Sequence, residues 1–301
     1  MSLLALFGAL ESGLIYALVA LGVYISFRVL DFPDLTADGS FPLGGAVAGV
    51  AIIADVNPWL ACIFGMLAGG VAGLVTAWLH VKLGILQLLS SILVMVALYA
   101  VNLRIMQAPN LPLLGEPTIF GELVTDSNGY WMRCVVIGGV VIAAKLFLDW
   151  FFSTEMGLAM RATGSNLRMS QAQGIATSRS ILLGMAISNG LIALAGAIFV
   201  QTQGGADISI GVGTIVIGLA AVIIGETIIP AKKMLWITLS AIVGAILYKF
   251  FIQIALSNDT LRAIGFGPQD VNLVTALLVV IALILPKIKS KILSNRHKHA
   301  A

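Results

Sequence analysis

Long apolar runs follow one another almost from end to end of this sequence, and they constrain its fold more than any other feature. The hydrocarbon core of a bilayer is about 30 Å thick, so a helix needs about 20 apolar residues to cross it. Of the 301 residues, 59% are hydrophobic and 10% are charged, and the mean hydropathy is +1.03. Soluble domains lie far from these values. We expect an all-α, polytopic integral membrane protein whose residues 1–301 form a single transmembrane domain.

The apolar runs divide into nine segments with boundary errors of a few residues. Two of them, residues 42–56 and 210–228, are short and glycine-rich, and each follows an irregular polar stretch. The first run lacks a preceding basic region and is too long for a signal peptide core, so we expect it to be a retained span. The predicted spans are 4–28, 42–56, 58–79, 83–101, 131–152, 181–201, 210–228, 234–254 and 271–286.

Charge and cysteine usage exclude several classes of protein. The formal net charge is +3, and no basic stripe with interleaved aromatic residues is present, so nucleic acid is not an expected partner. Cys62 and Cys134 stand alone in apolar stretches without nearby histidines, which argues against a disulfide or a metal site.

The distribution of Lys and Arg near the span ends predicts the orientation, because such residues collect on the cytoplasmic side. The densest basic cluster is the tail, residues 287–301, which we expect to be cytoplasmic. With nine spans, the N-terminus then lies outside, as do the loop 102–130, the turn 202–209 and the loop 255–270. The other basic clusters fall on the inner side with the tail: Arg28, His80 with Lys82, residues 161–179, and Lys232 with Lys233.

Two polar interruptions, within residues 30–42 and 201–209, superimpose when the sequence is shifted by 169 positions. Since the first enters the membrane from inside and the second from outside, the pattern predicts inverted repeats with broken helices, typical of transporters. The first repeat covers about 4–101 and the second about 181–286, with the odd span 131–152 between them. The matched pairs are Asp38 with Asp207, Ser40 with Ser209, Gly44 with Gly213, Gly49 with Gly218, and Ala51 with Ala220.

These matched residues and Glu226 are our candidates for the translocation path or its gates: Asp38, Ser40, Gly44, Asp207, Ser209, Gly213 and Glu226. Two alternatives stay open. The glycines serve equally well for close helix packing, and an aspartate ahead of a helix satisfies its free N–H groups.

Residues 153–180 form the longest polar segment on the predicted inner side, yet they retain apolar side chains at amphipathic spacing. Such a segment indicates a docking partner, and the alternative is contact of its arginines with anionic lipid headgroups. The pattern G-x-A-x-R-A-x-G-x-N, followed by A-x-G-I, supplies our candidate coupling residues: Gly157, Arg161, Ala162, Gly164, Asn166, Arg168 and Gly174.

This segment resembles the coupling helix of ABC-importer permeases, specifically of the branched-chain amino acid and ribose permease superfamily. Residues 31–42, 102–106 and 211–226 extend the resemblance to the subgroup associated with bacterial tryptophan or tyrosine uptake. It implies a permease homodimer in the bacterial inner membrane that imports a small solute, with an amino acid as the narrower expectation. It also implies an ATP-binding subunit dimer docked on residues 153–180, an extracytoplasmic substrate-binding protein, and no cofactor on this chain.

Ionisable residues inside predicted spans are costly, at about 2.5–3.5 kcal/mol each on insertion scales. Lys145 and Asp149 are four residues apart and are expected to neutralise each other. Glu226 is expected to reach the inner surface or to gate through Lys232 or the coupling segment, and Glu11 is a candidate partner of Lys249. Neutral polar residues line a path or form interhelical hydrogen bonds: Gln87, Ser90, Ser91, Asn102, Ser188 and Asn189.

An ion-coupled secondary transporter is the chief rival interpretation, since inverted repeats fit that class equally well. A membrane-embedded enzyme is disfavoured by the lack of HExxH, G-x-S-x-G and Walker A motifs, and a channel by the lack of a filter-like sequence. Because an ATP-driven transporter without its own nucleotide site must borrow one, the leading interpretation requires a partner ATPase.

Overall fold

The computed structural model describes residues 3–121, 129–231, 233–257 and 280, and these are almost entirely helical. The first helix continues as a π-helix, Tyr24–Val29, and a 3₁₀ turn, Ile208–Gly211, precedes the ninth. The α-helices are α1 (Leu3–Val23), α2 (Ala37–Ile53), α3 (Pro58–Leu83), α4 (Gln87–Met106), α5 (Gly129–Ser153), α6 (Glu155–Ser165), α7 (Leu167–Ala172), α8 (Thr177–Gln203), α9 (Thr214–Ile228) and α10 (Met234–Ser257).

Seven helical segments of the described part are long and apolar enough to cross a bilayer, and α2 is a shorter apolar helix. Eight of the nine predicted spans therefore fall on observed helices, which confirms the all-α membrane architecture. The ninth, 271–286, lies outside the described residues, as do most of the loop 255–270 and the tail 287–301. The count of nine spans and the inverted repeats stay predictions.

The predicted boundaries of the second segment were wrong. The irregular stretch ends at Thr36 and α2 begins at Ala37, so that Pro42 lies inside the helix. A proline within a helix removes one backbone bond, here the bond to the carbonyl of Asp38. Gly211 packs directly against that carbonyl, where an added Cβ would overlap the oxygen and lie 2.6 Å from Cδ of Pro42.

The loop 102–130 also differs from expectation. Helix α4 extends to Met106, and a short strand β1 (Asn110–Pro112) follows it. This strand pairs antiparallel with β2 (Gly205–Asp207), in a register that places Asn110 opposite Asp207 and Pro112 opposite Gly205. The pairing ties the loop after α4 to the segment between α8 and α9.

Helix α8 lies at the centre of the bundle, with α2 parallel to it and α3 antiparallel. The contact between α2 and α8 depends on glycine from both helices. A Cβ on Gly44 would overlap the carbonyl of Ala193, and a Cβ on Gly196 would overlap the carbonyl of Phe41. Backbones can approach this closely only where side chains are absent, so the packing interpretation of Gly44 is confirmed.

Helix α1 packs antiparallel to α8, since Gly22 contacts Ser188 and Leu30 contacts Gly184. The bundle thus has two ends. We name the end near Val29, Leu83 and Ile228 the α6 end, because α6 and α7 lie there, and the opposite end the β1 end.

Candidate translocation and coupling sites

Helices α2 and α9 both begin near the middle of the bundle. Ser40, in the first turns of α2, bonds Asn189, which lies midway along α8. From that level α2 runs 17 residues to the β1 end and α9 runs 15 residues to the α6 end, or about 26 and 22 Å at 1.5 Å per residue. Two short helices that start at mid-depth and leave in opposite directions agree with the predicted broken helices, which stay a prediction.

Asp38 joins these two helices. Its carboxylate accepts hydrogen bonds from the backbone N–H groups of Gly213, at 3.2 Å, and Ile215, at 2.8 Å. Gly213 has φ of +82° and precedes the first turn of α9, where the free N–H groups favour a negative charge. The capping alternative for Asp38 was wrong about the helix, because Asp38 lies in the first turn of α2 and caps α9.

Asp207 has a different role from Asp38 despite their matched sequence positions. Its carboxylate accepts hydrogen bonds from the N–H and hydroxyl of Ser209, which closes the 3₁₀ turn ahead of α9. Asp207 and Ser209 thus shape the turn locally, whereas Asp38 reaches across the bundle.

A buried polar network lies beside Asp38. Asn189 accepts a hydrogen bond from the hydroxyl of Ser40, at 2.7 Å, and donates one to the carboxylate of Asp34, at 2.7 Å. The other carboxylate oxygen of Asp34 accepts from the N–H of Thr36, whose hydroxyl bonds Thr76 at 2.8 Å. All five side chains are buried, at 0–1% exposure. Because a buried carboxylate is costly unless bonded, the network holds α2, α3 and α8 in one arrangement.

Asp34 was not among the site residues predicted from the sequence, although it lies in the same polar interruption as Asp38. The available signal was an aspartate two residues ahead of Thr36, a spacing that favours a local turn. What the sequence could not indicate is Asn189, 155 positions away.

Three of the neutral polar candidates form bonds between elements. Ser188 donates to the carbonyl of Gly22, Asn102 donates to the carbonyl of Gly39, and Asn189 belongs to the network above. Ser90 and Ser91 bond carbonyls of the preceding turn of their own helix. The alternative of hydrogen bonds between elements therefore holds for Ser188, Asn102 and Asn189 but not for Ser90 and Ser91.

Glu226 pairs with Arg28 at the α6 end. The guanidinium of Arg28 donates two hydrogen bonds to the carboxylate, one of them 2.9 Å long from Nε. Lys232, the partner considered from the sequence, lies outside the described residues. Arg28 entered the sequence analysis only as an orientation marker, so its pairing across 198 positions was missed.

This pair borders a cavity of about 490 Å³ at the α6 end. Its walls come from the π-helix, the last turns of α9, the loop that follows, and α10. Lining residues include Tyr24, Arg28, Glu226, Pro230, Ile237 and Ser240. π-Helices are rare and occur frequently at functional sites.

Two further predictions concerned charged residues inside the membrane, of which one is confirmed and one is wrong. Lys145 and Asp149 form the expected pair at 2.6 Å, and Asp149 also accepts a hydrogen bond from Thr238 of α10, at 2.7 Å. Lys249 does not pair with Glu11. Its Nζ lies 3.7 Å from the ring centroid of Tyr16, a cation–π contact that replaces the predicted ion pair.

The predicted coupling segment forms two short helices at the α6 end. Thr154 caps α6 through the N–H of Gly157, and Asn166 ends α6 and caps α7 through the N–H of Met169. Gly174, with φ of +80°, makes the turn that follows α7. The tight turn at Asn166 sets α7 off from α6 as a separate element.

The residues of this segment separate into a packed face and an exposed face. Gly164 lies against the carbonyl of Val29, and Gly157 lies against the backbone of Phe151 and Phe152, with no room for a Cβ at either position. Ala162 is half-buried. Exposed side chains are Met156, Leu158, Arg161, Leu167, Arg168 and Met169.

The architecture and the sites define a membrane subunit of a transporter. A family model described as "Branched-chain amino acid transport system / permease component" matches residues 5–285. The chain belongs to this family of ABC transporter permeases, and it is therefore a transport subunit and not itself an enzyme.

Individual relatives agree with this assignment. The chain is 38% identical over 271 residues to a tyrosine transport system permease protein of Clostridioides difficile, covering 90% of this chain and 88% of that protein. It is 24% identical over 288 residues to a nucleoside ABC transporter permease protein of Lactococcus lactis, covering 83% and 87%.

A solved structure of PsaBC from Streptococcus pneumoniae in complex with Fab has a similar fold, with a TM-score of 0.51 at 14% identity, covering 92% of this chain and 89% of that one. An ABC transporter described as of metal-chelate type, in an inward-facing conformation, has a TM-score of 0.51 at 16% identity, with coverage of 95% and 85%.

Proposed function

We propose that this protein, as a homodimer in the bacterial inner membrane, forms the path of an ATP-driven importer for an aromatic amino acid. ATP is bound by a separate ATPase dimer, and an extracytoplasmic binding protein delivers the solute. The observation that carries the proposal is the exposed face of α6 and α7, where apolar and basic side chains stand together on two short helices anchored to the bundle.

The exposed face has the composition of a docking surface. Met156, Leu158 and Met169 are 57%, 52% and 62% exposed, next to the charges of Arg161 and Arg168. Apolar anchors with arginines are enriched in protein interfaces. A membrane surface would also accept basic residues, but the polar turn at Asn166 and the two separate short helices suit a cleft in a partner.

The packed face of α6 offers a route by which movement of the docked ATPase would reach the helix bundle. Gly164 contacts the backbone of Val29, at the end of the π-helix, and Met160 contacts Gly184 on α8. A displacement of α6 would therefore act directly on α1 and α8, without an intervening flexible loop. Because interfaces of this kind are close-packed, they pass on small shifts.

The junction of α2 and α9 is the proposed gate. Asp38 and Ser40 lie on α2, while Gly213 begins α9 beyond the turn of Asp207 and Ser209. Movement of α1 and α8 reaches this junction through Gly44 and Asn189. On this proposal the Asp38 contacts with α9 lengthen when the path opens, and the α6 end is cytoplasmic, with the N-terminus outside.

The solute class rests on similarity to the tyrosine permease. The broadest form of the proposal is import of a small solute. Import of an amino acid is a narrower form, and import of an aromatic amino acid is the narrowest.

The test is purification of the tagged protein from its native membrane with its bound partners. We expect an ATPase to co-purify, and we expect the reconstituted complex, with the binding protein supplied outside the vesicles, to import tritiated L-tyrosine only with ATP inside. Arg168→Glu with Met169→Asp should release the ATPase while the permease stays folded, since both side chains are exposed.

Arg104→Glu is the matched control, because Arg104 is also exposed but lies on α4 near the β1 end. This variant should retain the ATPase. A folded, partner-free protein that transports alone on an ion gradient would overturn the proposal in favour of a secondary transporter.

A further inference from the structure

The cavity at the α6 end differs in chemistry from the larger groove of the described bundle. That groove, about 560 Å³ between α3, α5 and α8, is lined by apolar residues such as Met66, Val140 and Leu194. The α6-end cavity, of about 490 Å³, combines a guanidinium, a carboxylate and two hydroxyls with apolar walls. Cavities that bind small molecules have this size and this mixture of surfaces.

The charged pair in this cavity is open and incompletely bonded. The side chains of Arg28 and Glu226 are 58% and 28% exposed, whereas those of Lys145 and Asp149 are 13% and 11% exposed. An exposed ion pair adds little to stability, so Arg28 and Glu226 can exchange partners at small cost. A guanidinium has five N–H donors, of which Glu226 takes two.

The walls beside the pair accept an apolar group. The ring of Tyr24 is held in place by a contact of its hydroxyl with the sulfur of Met234, at 3.6 Å, and Pro230 and Ile237 complete the apolar side. Ser240 donates its hydroxyl to the carbonyl of Ile237, so its oxygen remains free to accept. The cavity thus combines a charged pair with aromatic and aliphatic surface.

From this arrangement we propose that the cavity binds an α-amino acid zwitterion on its way out of the path. The carboxylate of the solute pairs with Arg28, its ammonium pairs with Glu226, and its side chain packs against Tyr24 and Pro230. This inference rests on the proposed function, because it names the solute class of the same importer. Insertion of the zwitterion replaces one ion pair by two without changing the net charge, and a carboxylate suits the planar fork of arginine.

The same chemistry occurs in one other source, the phosphoethanolamine headgroup of a membrane lipid, which also carries an anion beside an ammonium. A sugar or a nucleoside carries neither charge and would not exchange with the pair.

The experiment uses the permease–ATPase complex in nanodiscs of phosphatidylglycerol, with tritiated L-tyrosine as the probe. Competitors are tyramine, which lacks the carboxylate, and 3-(4-hydroxyphenyl)propionate, which lacks the ammonium. For the wild-type complex we expect each competitor to bind at least about tenfold more weakly than tyrosine.

Each variant should lose the discrimination between tyrosine and one competitor and keep the discrimination between tyrosine and the other. Arg28→Gln should bring tyramine within about threefold of tyrosine, and Glu226→Gln should do so for 3-(4-hydroxyphenyl)propionate, because each loses the partner of one charge. Lys233→Gln is the control, since Lys233 is exposed on the same loop but does not line the cavity. Lys233→Gln should keep the discrimination between tyrosine and both competitors. Retention of the ATPase by each variant reports that the permease is folded.

Three outcomes overturn the inference. Equal weakening of all three ligands in both variants would mean that the pair is only structural. If neither competitor displaces tyrosine from any variant, tyrosine binds at a site other than this cavity. Specific binding of phosphoethanolamine without tyrosine would assign the cavity to a lipid headgroup.

Uptake separates this inference from the proposed function. If wild-type proteoliposomes fail to import tyrosine with ATP inside and the binding protein outside, the proposed importer of aromatic amino acids is itself refuted. If wild-type uptake is normal and neither Arg28→Gln nor Glu226→Gln alters it, only the proposed binding site in the cavity is refuted.

Discussion

The carboxylate of Asp38 lies 2.8 Å from the backbone nitrogen of Ile215, so the start of α2 caps the start of α9 across 177 positions of sequence. The two short helices of the bundle are thereby joined at the level where they diverge. Four experiments follow from this contact and from its surroundings.

Removal of the Asp38 carboxylate should loosen α9. Asp38→Ala deletes both acceptors of the first turn of α9, and loss of a helix cap costs about 1–2 kcal/mol. We expect lower thermal stability in nanodiscs and reduced uptake of solute. Asp38→Asn keeps an acceptor oxygen and should lose less.

Asp55→Asn is the comparison for this experiment. Asp55 is an exposed carboxylate just beyond α2, with φ of +58°, a conformation that asparagine tolerates. Its substitution should change neither stability nor uptake. If Asp38→Ala matches Asp55→Asn in both measurements, the junction does not depend on this cap.

The buried network should be more sensitive at Asn189 than at its neighbour Ser188. Asn189→Ala removes the partner of Ser40 and of one carboxylate oxygen of Asp34, whose other oxygen keeps its bond to Thr36, and unsatisfied buried groups cost about 1–3 kcal/mol each. Ser188→Ala removes one bond, to Gly22, and such bonds in membranes average about 0.6 kcal/mol. Detergent-induced unfolding monitored by circular dichroism ranks the two variants. The reverse order would show that Asp34 finds another partner.

A methyl group at Gly44 should separate α2 from α8. Gly44→Ala places a Cβ onto the carbonyl of Ala193, and overpacking typically costs about 1–3 kcal/mol. We expect a low yield of folded protein by fluorescence size-exclusion chromatography. Gly139→Ala on α5, where nothing lies within 4 Å of the added Cβ, should be neutral or stabilising because alanine favours helix. Equal yields would contradict the packing role.

Gly164→Ala should uncouple ATP hydrolysis from transport. The added methyl overlaps the carbonyl of Val29 and moves α6 off the π-helix, whereas the exposed face proposed to dock the ATPase stays unchanged. The ATPase should co-purify and hydrolyse ATP while uptake per ATP falls several-fold, by about the factor of 5–30 that 1–2 kcal/mol represents.

The comparison for Gly164 is Ser165→Ala, at an exposed position of the same turn. It should leave the ratio of uptake to hydrolysis unaltered. A proportional loss of hydrolysis and uptake in Gly164→Ala would place this glycine in ATPase binding and not in transmission.

Local contacts were predictable from the sequence. Lys145 and Asp149 pair because residues four apart share a helix face, and Asn166 caps α7 because its side chain reaches N–H groups three residues ahead. The coupling role of residues 153–180 stays a prediction, but Gly157 and Gly164 lie on the packed face of the segment whereas Arg161 and Arg168 lie on the exposed face. That distinction depends on what Gly164 contacts, and Val29 is distant in sequence.

The repeat pattern illustrates the limit of sequence matching. It marked Asp38 and Asp207 as equivalent, and both do cap backbone N–H groups near α9. Their contacts nevertheless differ, because Asp38 faces a neighbouring helix while Asp207 faces its own turn. Positions matched in sequence thus need share neither backbone conformation nor neighbours, since Asp38 lies in a helix and Asp207 is extended.

The sequence by itself determined that the chain lies in a membrane as a bundle of apolar helices, because lipid forces each span to satisfy its backbone bonds internally and to be apolar along about 20 residues. Only the tertiary structure decided which polar groups meet: Asp38 with Ile215, Asp34 with Asn189, and Arg28 with Glu226. Those meetings depend on helix crossings that small residues such as Gly44 and Gly196 permit. Because apolar periodicity leaves helix order and rotation undetermined, such pairings arise from packing and not from pattern.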